Sequence, residues 1–249
     1  MNNSRNLKYY CVIYCAFVRL GVIKIVSLNS SEIMRWSMQN KIITISRQFG
    51  CNGRLIGKKV AEELGIAYYD RELIHLIASR SGFCQEFVEK SSEYATSSPF
   101  DYFPFIRSVG GIGSGDIGSS CLTAIDRLQV AVKEVVEQIA QQEASVIVGR
   151  GADYFLRERE DVLKIFLYAK EEHRVDVLLG RSDLDSSEKA LEELRQKDSN
   201  RRKNYKHYTG RDWGKPHYYD LCLNTGSLGI DLCVNQIVNA YTHCLPTQI

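Results

Sequence analysis

Charge of one sign is what this chain most clearly lacks. Its 32 Lys and Arg face 30 Asp and Glu, leaving +2 at neutral pH, so nothing in the balance drives the whole molecule toward nucleic acid or a membrane surface. Cysteine is present eight times, but no C-x-x-C occurs and no Cys/His grouping has zinc-ligand spacing. Most of the eight sit in apolar contexts, as Cys222 does in YDLCLN, which predicts reduced, buried thiols in a cytoplasmic protein. Long apolar runs are missing too. Tyr9–Val18 is an uncharged run of ten, too short to span a bilayer, and Arg19 and Lys24 interrupt its continuation. Lys8 gives it the outline of a signal peptide, yet no small-residue cleavage site follows. Residues 1–39 therefore read as an atypical extension, with Met38 as a candidate alternative start.

The most specific absence lies in Lys41–Leu64, KIITISRQFGCNGRLIGKKVAEEL. An apolar β-type run (Ile42, Ile43, Ile45) empties into a polar, Gly-containing turn, and an amphipathic helix follows. Strand, loop and helix in that order build a phosphate-binding loop, in which loop N–H groups and the positive end of the helix dipole converge on phosphate oxygens. The common signature G-x-x-x-x-G-K-[ST] is nevertheless not spelled. Arg54 follows Gly53 where Lys is expected, and Leu55 stands where a Mg²⁺-binding hydroxyl should be. The order of elements predicts a phosphate site; the letters predict an altered one.

What is present is an ordinary globular composition over 249 residues, 44% apolar and 25% charged, which suits one domain, or one with a substantial insertion. Ile56, Val60 and Leu64 recur on one helical face opposite Lys58, Lys59, Glu62 and Glu63, and Gly65 ends that helix. Ile66–Tyr69 reads as a second strand closing on Asp70, and Glu72–Ala78 as a helix. Ser91–Ser120, rich in Ser, Gly, Pro and aromatics, reads as a long loop. Its GSGDIG (Gly113–Gly118) matches G-x-G-x-x-G only formally, because no strand precedes it. A helix through Val132, Val135, Val136 and Ile139 comes next, then the buried strand Ser145–Val148 delivering Gly149-Arg150-Gly151. A strand over Leu163–Ala169, a helix with Val175, Leu178 and Leu179, a strand over Tyr219–Asn224 and a helix over Ile230–Tyr241 complete the order. Strands this apolar, alternating with helices, predict an α/β fold with a parallel sheet covered on both faces. Ligands of such sheets sit beyond the carboxyl ends of the strands, where Ser46-Arg47, Asp70-Arg71 and Gly149-Arg150 fall.

Arg47, Arg54 and Arg150 are thereby expected to serve as phosphate ligands, since a guanidinium offers a bidentate fork to phosphate and keeps its charge, while Arg71 could equally cap a helix or pair locally. A second basic group lies in Arg195–Lys215, where eight Lys and Arg meet only Asp198 and Asp212. Arg195, Asp198, Arg202 and Tyr205 share one helical face there, with Asp198 expected to hold Arg201 or Arg202 toward an anion. A solvated, salt-bridged helix is the plainer reading of the same charges, and a basic and aromatic nucleic-acid surface a third.

The strings ITISRQFGCNGRLIGKKVAEELGIAYYDREL, VIVGRGADYFL, IFLYAKEEHRV and YDLCLNTGSLGID resemble the cytidylate-kinase-like family of P-loop proteins across about Asn40 to Tyr241. The resemblance implies a P-loop NTPase-type parallel five-stranded sheet over residues 40–241, with a monophosphate-binding insertion over 71–129, a lid over 195–216 and a tail at 242–249. It implies that Arg47 and Gly50, Cys51, Asn52, Gly53, Arg54 and Leu55 grip the donor triphosphate. Asp70, Arg71, Arg150 and Asp153 would face the acceptor monophosphate. Arg201 and Arg202, oriented by Asp198, would close on the moving phosphoryl group beside Arg54 and Arg150. Residues 71–129 would hold the nucleobase, and Asn224-Thr225-Gly226 would lie near the donor base. ATP would be the donor with Mg²⁺, and no protein metal ligand is assigned.

Two departures stand out. Cys51-Asn52 replaces small Ser and Gly residues, so Asn52 must take a conformation Gly adopts more easily, and Gly151 follows Arg150 where an acidic residue is usual. The implied activity is a nucleoside monophosphate kinase, with CMP, dCMP or a related monophosphate as acceptor, and nucleotides as the only partners. A regulatory protein that holds nucleotide without turnover remains the alternative.

Overall fold

A computed structural model describes residues 41–93, 117–181 and 186–243. The expected extension (1–39), the centre of the expected loop (94–116) and most of the expected tail (244–249) lie outside them. Five strands form one all-parallel sheet in the order β2-β3-β1-β4-β5. They are β1 (Ile42–Arg47), β2 (Ala67–Tyr69), β3 (Ser145–Val148), β4 (Val162–Tyr168) and β5 (Leu221–Asn224). β1 is central, its Ile42–Ile45 paired with Ser145–Val148 on one side and its whole length with Val162–Leu167 on the other. That position explains the unbroken apolar run, because both faces of β1 are covered and only its carboxyl end opens out. The chain leaves β1 toward β2, then crosses from β3 back to β4, so the end of β1 is the topological switch point of the sheet.

The first helix, α1 (Gly53–Leu64), buries Ile56, Val60 and Ala61 and closes on Gly65 in the left-handed conformation. On the opposite face α2 (Arg71–Ser81), α3 (Gln85–Glu93) and α4 (Ile117–Gln142) form the main core. Leu73, Ile77, Val88, Leu128, Val136 and Ile139 meet Ile42, Ile147 and Val162 there. The expected loop Ser91–Ser120 is thus shorter than its composition suggested: α3 runs to Glu93 and α4 begins at Ile117. α3 escapes a periodicity reading because its buried pair, Phe87 and Val88, is adjacent in sequence and unrepeated.

A one-turn α5 (Ala152–Phe155) follows β3, and α6 (Glu171–Leu179) follows β4. Most of the basic segment lies on α7 (Ser187–Thr209), a 23-residue helix capped by Ser186, whose side chain accepts the Lys189 N–H, while Arg211 and Lys215 follow the helix. α8 (Thr225–His243) breaks its helical path at Gly229, with φ 74° and ψ 171°, where the sequence signalled only the later half. Among the described cysteines, Cys51 and Cys233 are buried, while Cys222 is half-buried and Cys84 is exposed, both against expectation. No helix among the described residues is long and apolar enough to cross a membrane.

Candidate active site at the carboxyl end of β1

Residues 48–52 connect β1 to α1 and are tied to β4 beneath them. The Gln48 N–H donates to the Leu167 carbonyl at 3.0 Å, and its side-chain oxygen accepts the Ala169 N–H at 3.1 Å. The Cys51 thiol donates to the Gln48 carbonyl at 3.0 Å, and burial pushes it up to about 11, so it stays a neutral S–H. Asn52 takes φ 59°, the left-handed conformation expected from its standing where the resembled family has a small residue. The first helical bond of α1 runs from the Ile56 N–H to the Asn52 carbonyl. α1 has no side-chain cap and no acidic residue in its first turn, so its positive end is left for an anion.

Four guanidinium groups gather at that helix end. Arg47, 16% exposed, and Arg54, 54% exposed, share Asp70: Arg54 Nε lies 2.8 Å from Oδ2 and Arg47 Nη2 lies 3.6 Å from Oδ1. Arg201 of α7 donates to the Arg47 carbonyl at 2.9 Å. Arg181, which the sequence reading missed, donates to the Asn52 side-chain oxygen at 2.7 Å. Burial, then the charge of Arg201, lower Arg47 to about 10, with Asp70 opposing the shift. Positive charge is in excess here even with Asp70 in place.

Asp198 is where the structure corrects the sequence reading most. It orients neither Arg201 nor Arg202; it forms a buried pair with Arg174 of α6, Nη1 to Oδ2 at 2.5 Å, and accepts the Phe49 N–H at 2.8 Å. The reason is geometric: a carboxylate at this position on α7 faces down onto α6 and the loop, where Arg174 also donates to the Phe49 carbonyl at 3.2 Å. Gly50 lies so close that a Cβ there would meet the Arg174 carbonyl at 3.0 Å. The Phe49 ring packs with Leu178, Ala190 and Leu194, under Lys197 at 4.3 Å and Arg201 at 5.6 Å. α7 is therefore docked on the β1–α1 loop through the stretch from Ala190 to Arg201.

Arg150 sits between two glycines at φ 57° and donates to the Val88 carbonyl of α3 at 2.8 Å. It joins the strand-end turn to the region expected to receive the acceptor. Asp153, expected to face substrate, is instead 3% exposed. Tyr205 of α7 donates to its Oδ2 at 2.6 Å and Ser46 to its Oδ1 at 3.1 Å. Burial pushes its carboxyl above the ordinary range, partly offset by those two donors. Leu55 is exposed and offers no oxygen; Arg71 and Arg202 are exposed on α2 and α7, away from the cluster's hydrogen bonds. Arg174 and Arg181 are not singled out by the sequence, and Ser46 is signalled only as a strand-end residue. Each acts through a tertiary contact across at least 107 positions, and no local spacing encodes that.

A family model described as the cytidylate kinase-like family matches residues 42–227. The solved structure of an uncharacterized protein from Eubacterium ventriosum is 22% identical, covers 81% of this chain and 98% of that chain, and aligns with a TM-score of 0.56. It bears on the fold alone. Shikimate kinase from Bacteroides thetaiotaomicron is 12% identical, over 80% of this chain and 96% of that one, with a TM-score of 0.44. Shikimate kinase from Acinetobacter baumannii in complex with shikimate is 14% identical, over 83% and 95%, with a TM-score of 0.43. Both align too loosely to bear on function. No curated protein matches the chain.

Proposed function

The chain belongs to the cytidylate kinase-like family, and on that premise we propose that it transfers the γ-phosphoryl group of ATP to a nucleoside monophosphate, CMP or dCMP first. The observation that carries this reading is the convergence of Arg47, Arg54 and Arg201 on the end of β1 with one carboxylate, Asp70, among them. Phosphoryl transfer asks mainly for positioned positive charge, since the acceptor is already an anion and needs no strong base. Arg54 and the first N–H groups of α1 would hold the donor triphosphate. Arg47, withdrawn from water, would meet the moving group, with Arg201 closing from α7. Asp70, Arg71 and Arg150 would serve the acceptor side. Asp198 and Asp153 would act as supports beneath these groups. Mg²⁺, when bound, neutralises phosphate charge; Asp70 is the carboxylate here that could take it, and Leu55 contributes nothing to it.

A second reading, nucleotide holding without turnover, is favoured by Leu55 and by Asp70 already engaging the arginine at the signature Lys position. One experiment separates the two: NDP formation from ATP by the full chain over a panel of monophosphates, with Mg²⁺ and with chelator. Metal-dependent turnover of a pyrimidine monophosphate supports the kinase. ATP binding that ignores Mg²⁺, with no NDP formed from any monophosphate, supports the holder.

A further inference from the structure

Asp153 is a buried carboxylate that the proposed transfer never touches. Its two donors, the Tyr205 and Ser46 hydroxyls, are both neutral. Taking such a group out of water is costly, and an apolar trio of the same volume would hold the fold at least as well. What the carboxylate does achieve is a junction. Ser46 precedes Arg47 on β1, Asp153 lies three residues beyond Arg150, and Tyr205 lies one helical turn beyond Arg201 on the same face of α7. One carboxylate thus ties together the three elements that carry Arg47, Arg150 and Arg201. Asp198, one turn before Arg201, pins the same helix face to the phosphate loop from the other side. Arg201 therefore projects from a stretch of α7 held at both ends.

Resting on the phosphoryl-transfer reading, we propose that Asp153 and Tyr205 are positioning residues that set Arg201 against the phosphate loop, acting through that arginine and not on the substrate. Asp198 cannot serve as a clean probe of this, because its loss also strips the Phe49 N–H of its acceptor. Tyr205 can, since replacing it by Phe removes one oxygen and keeps the ring in place.

The test is a double-mutant cycle in the full chain, Tyr205→Phe against Arg201→Ala, read in two ways. The first is kcat and KM with whichever monophosphate is turned over. The second is tripolyphosphate affinity by calorimetry, which needs no turnover. Tyr205→Phe is expected to lower kcat about tenfold with the acceptor KM changed less than about threefold, and to weaken tripolyphosphate about fivefold. In the Arg201→Ala background it should do neither. Asp153→Asn, whose amide oxygen still accepts the Tyr205 hydroxyl, should retain more activity than Asp153→Ala, and Asp153→Ala replaces Tyr205→Phe in the cycle if that variant fails to fold. Additive losses, or a Tyr205→Phe protein indistinguishable from wild type in both readouts, overturn the proposal. If no monophosphate is turned over, the kinase reading falls, and the cycle in tripolyphosphate affinity still decides whether the pair acts through Arg201.

Discussion

The guanidinium of Arg47 occupies the space that a side chain on Gly149 would need. A Cβ built on Gly149 falls on Nη1, and one built on Gly53 meets the Arg47 stem at 2.7 Å. Two glycines, one closing β3 and one opening α1, thus form the slot in which this largely buried arginine lies. Gly149 also has φ 82°, so Gly149→Ala suffers twice, through backbone strain of about 1–2 kcal/mol and through collision. The expected loss is about 2–4 kcal/mol in urea denaturation. Adding Arg47→Ala should return the collision part and leave the strain. A double variant no more stable than Gly149→Ala would show that Arg47 does not fill the slot.

Anions should stabilise the protein through that arginine. Arg47 carries its charge in poor contact with water and beside two like charges, so an anion that binds the folded site relieves both. Tripolyphosphate at about a hundred times its dissociation constant should add about 2.7 kcal/mol, or about 5–10 °C in Tm for a domain of this size. Arg47→Ala should abolish most of the shift. Arg159→Ala, whose partner Asp161 precedes β4 at the opposite end of the sheet, should leave it intact. Equal shifts in all three proteins would place the anion elsewhere.

Asp70 competes for the same charges. With its carboxylate bridging Arg54 and Arg47, it competes with an incoming phosphate for both guanidinium groups. Asp70→Asn should therefore tighten tripolyphosphate about five- to tenfold, a gain of about 1 kcal/mol, while lowering stability by a similar amount because Arg47 loses its counter-charge. Turnover should fall despite tighter binding if Asp70 also serves the acceptor side. Calorimetry beside urea denaturation separates these effects, and weaker anion binding in Asp70→Asn would rule out the competition.

The framework of this site could be read in the letters because local rules govern it. The apolar run of β1, the stripe of α1 and the arginines at strand ends all follow from period and topology, while the left-handed Asn52 follows from the family resemblance. The partners of Asp198 and Asp153 could not. Asp198 lies at the right helical spacing to hold Arg201 or Arg202, yet α7 turns it onto Arg174, 24 residues away. The GRG context made Asp153 look like a substrate ligand, yet Tyr205 from 52 residues away covers it. Spacing along one helix fixes which residues share a face; only packing decides what that face meets.

Acid should loosen the far end of α7 before the core. Asp212 is held down at about 2 by Lys206 first and Lys215 second. Its folded pKa lies below the unfolded value of about 3.9, so the stabilisation it gives is complete above that value and disappears as the pH falls toward 2. Asp212→Asn should flatten the fall in stability between about pH 4 and 2, with neighbouring Trp213 fluorescence as the reporter. An unchanged acid limb would mean that the two lysines do not hold this carboxylate in solution.

The buried pair of Arg174 and Asp198 separates stability from function. Both side chains are nearly inaccessible, at 4% and 7% exposure, and Arg174 Nε has no hydrogen-bond partner. Removing one partner leaves the other charge buried and alone, so Asp198→Ala should cost about 3–5 kcal/mol. Removing both charges is different: Arg174→Met with Asp198→Leu keeps the volume and lifts both desolvation costs, so urea denaturation should return close to wild type. The Phe49 N–H and carbonyl would still lose Asp198 and Arg174, and with them the setting of the β1–α1 loop. Stability should therefore recover while tripolyphosphate affinity stays at least fivefold weaker. Recovery of both would reduce the pair to a packing device. Recovery of stability alone would assign the cost of two buried charges to holding the loop for its anion.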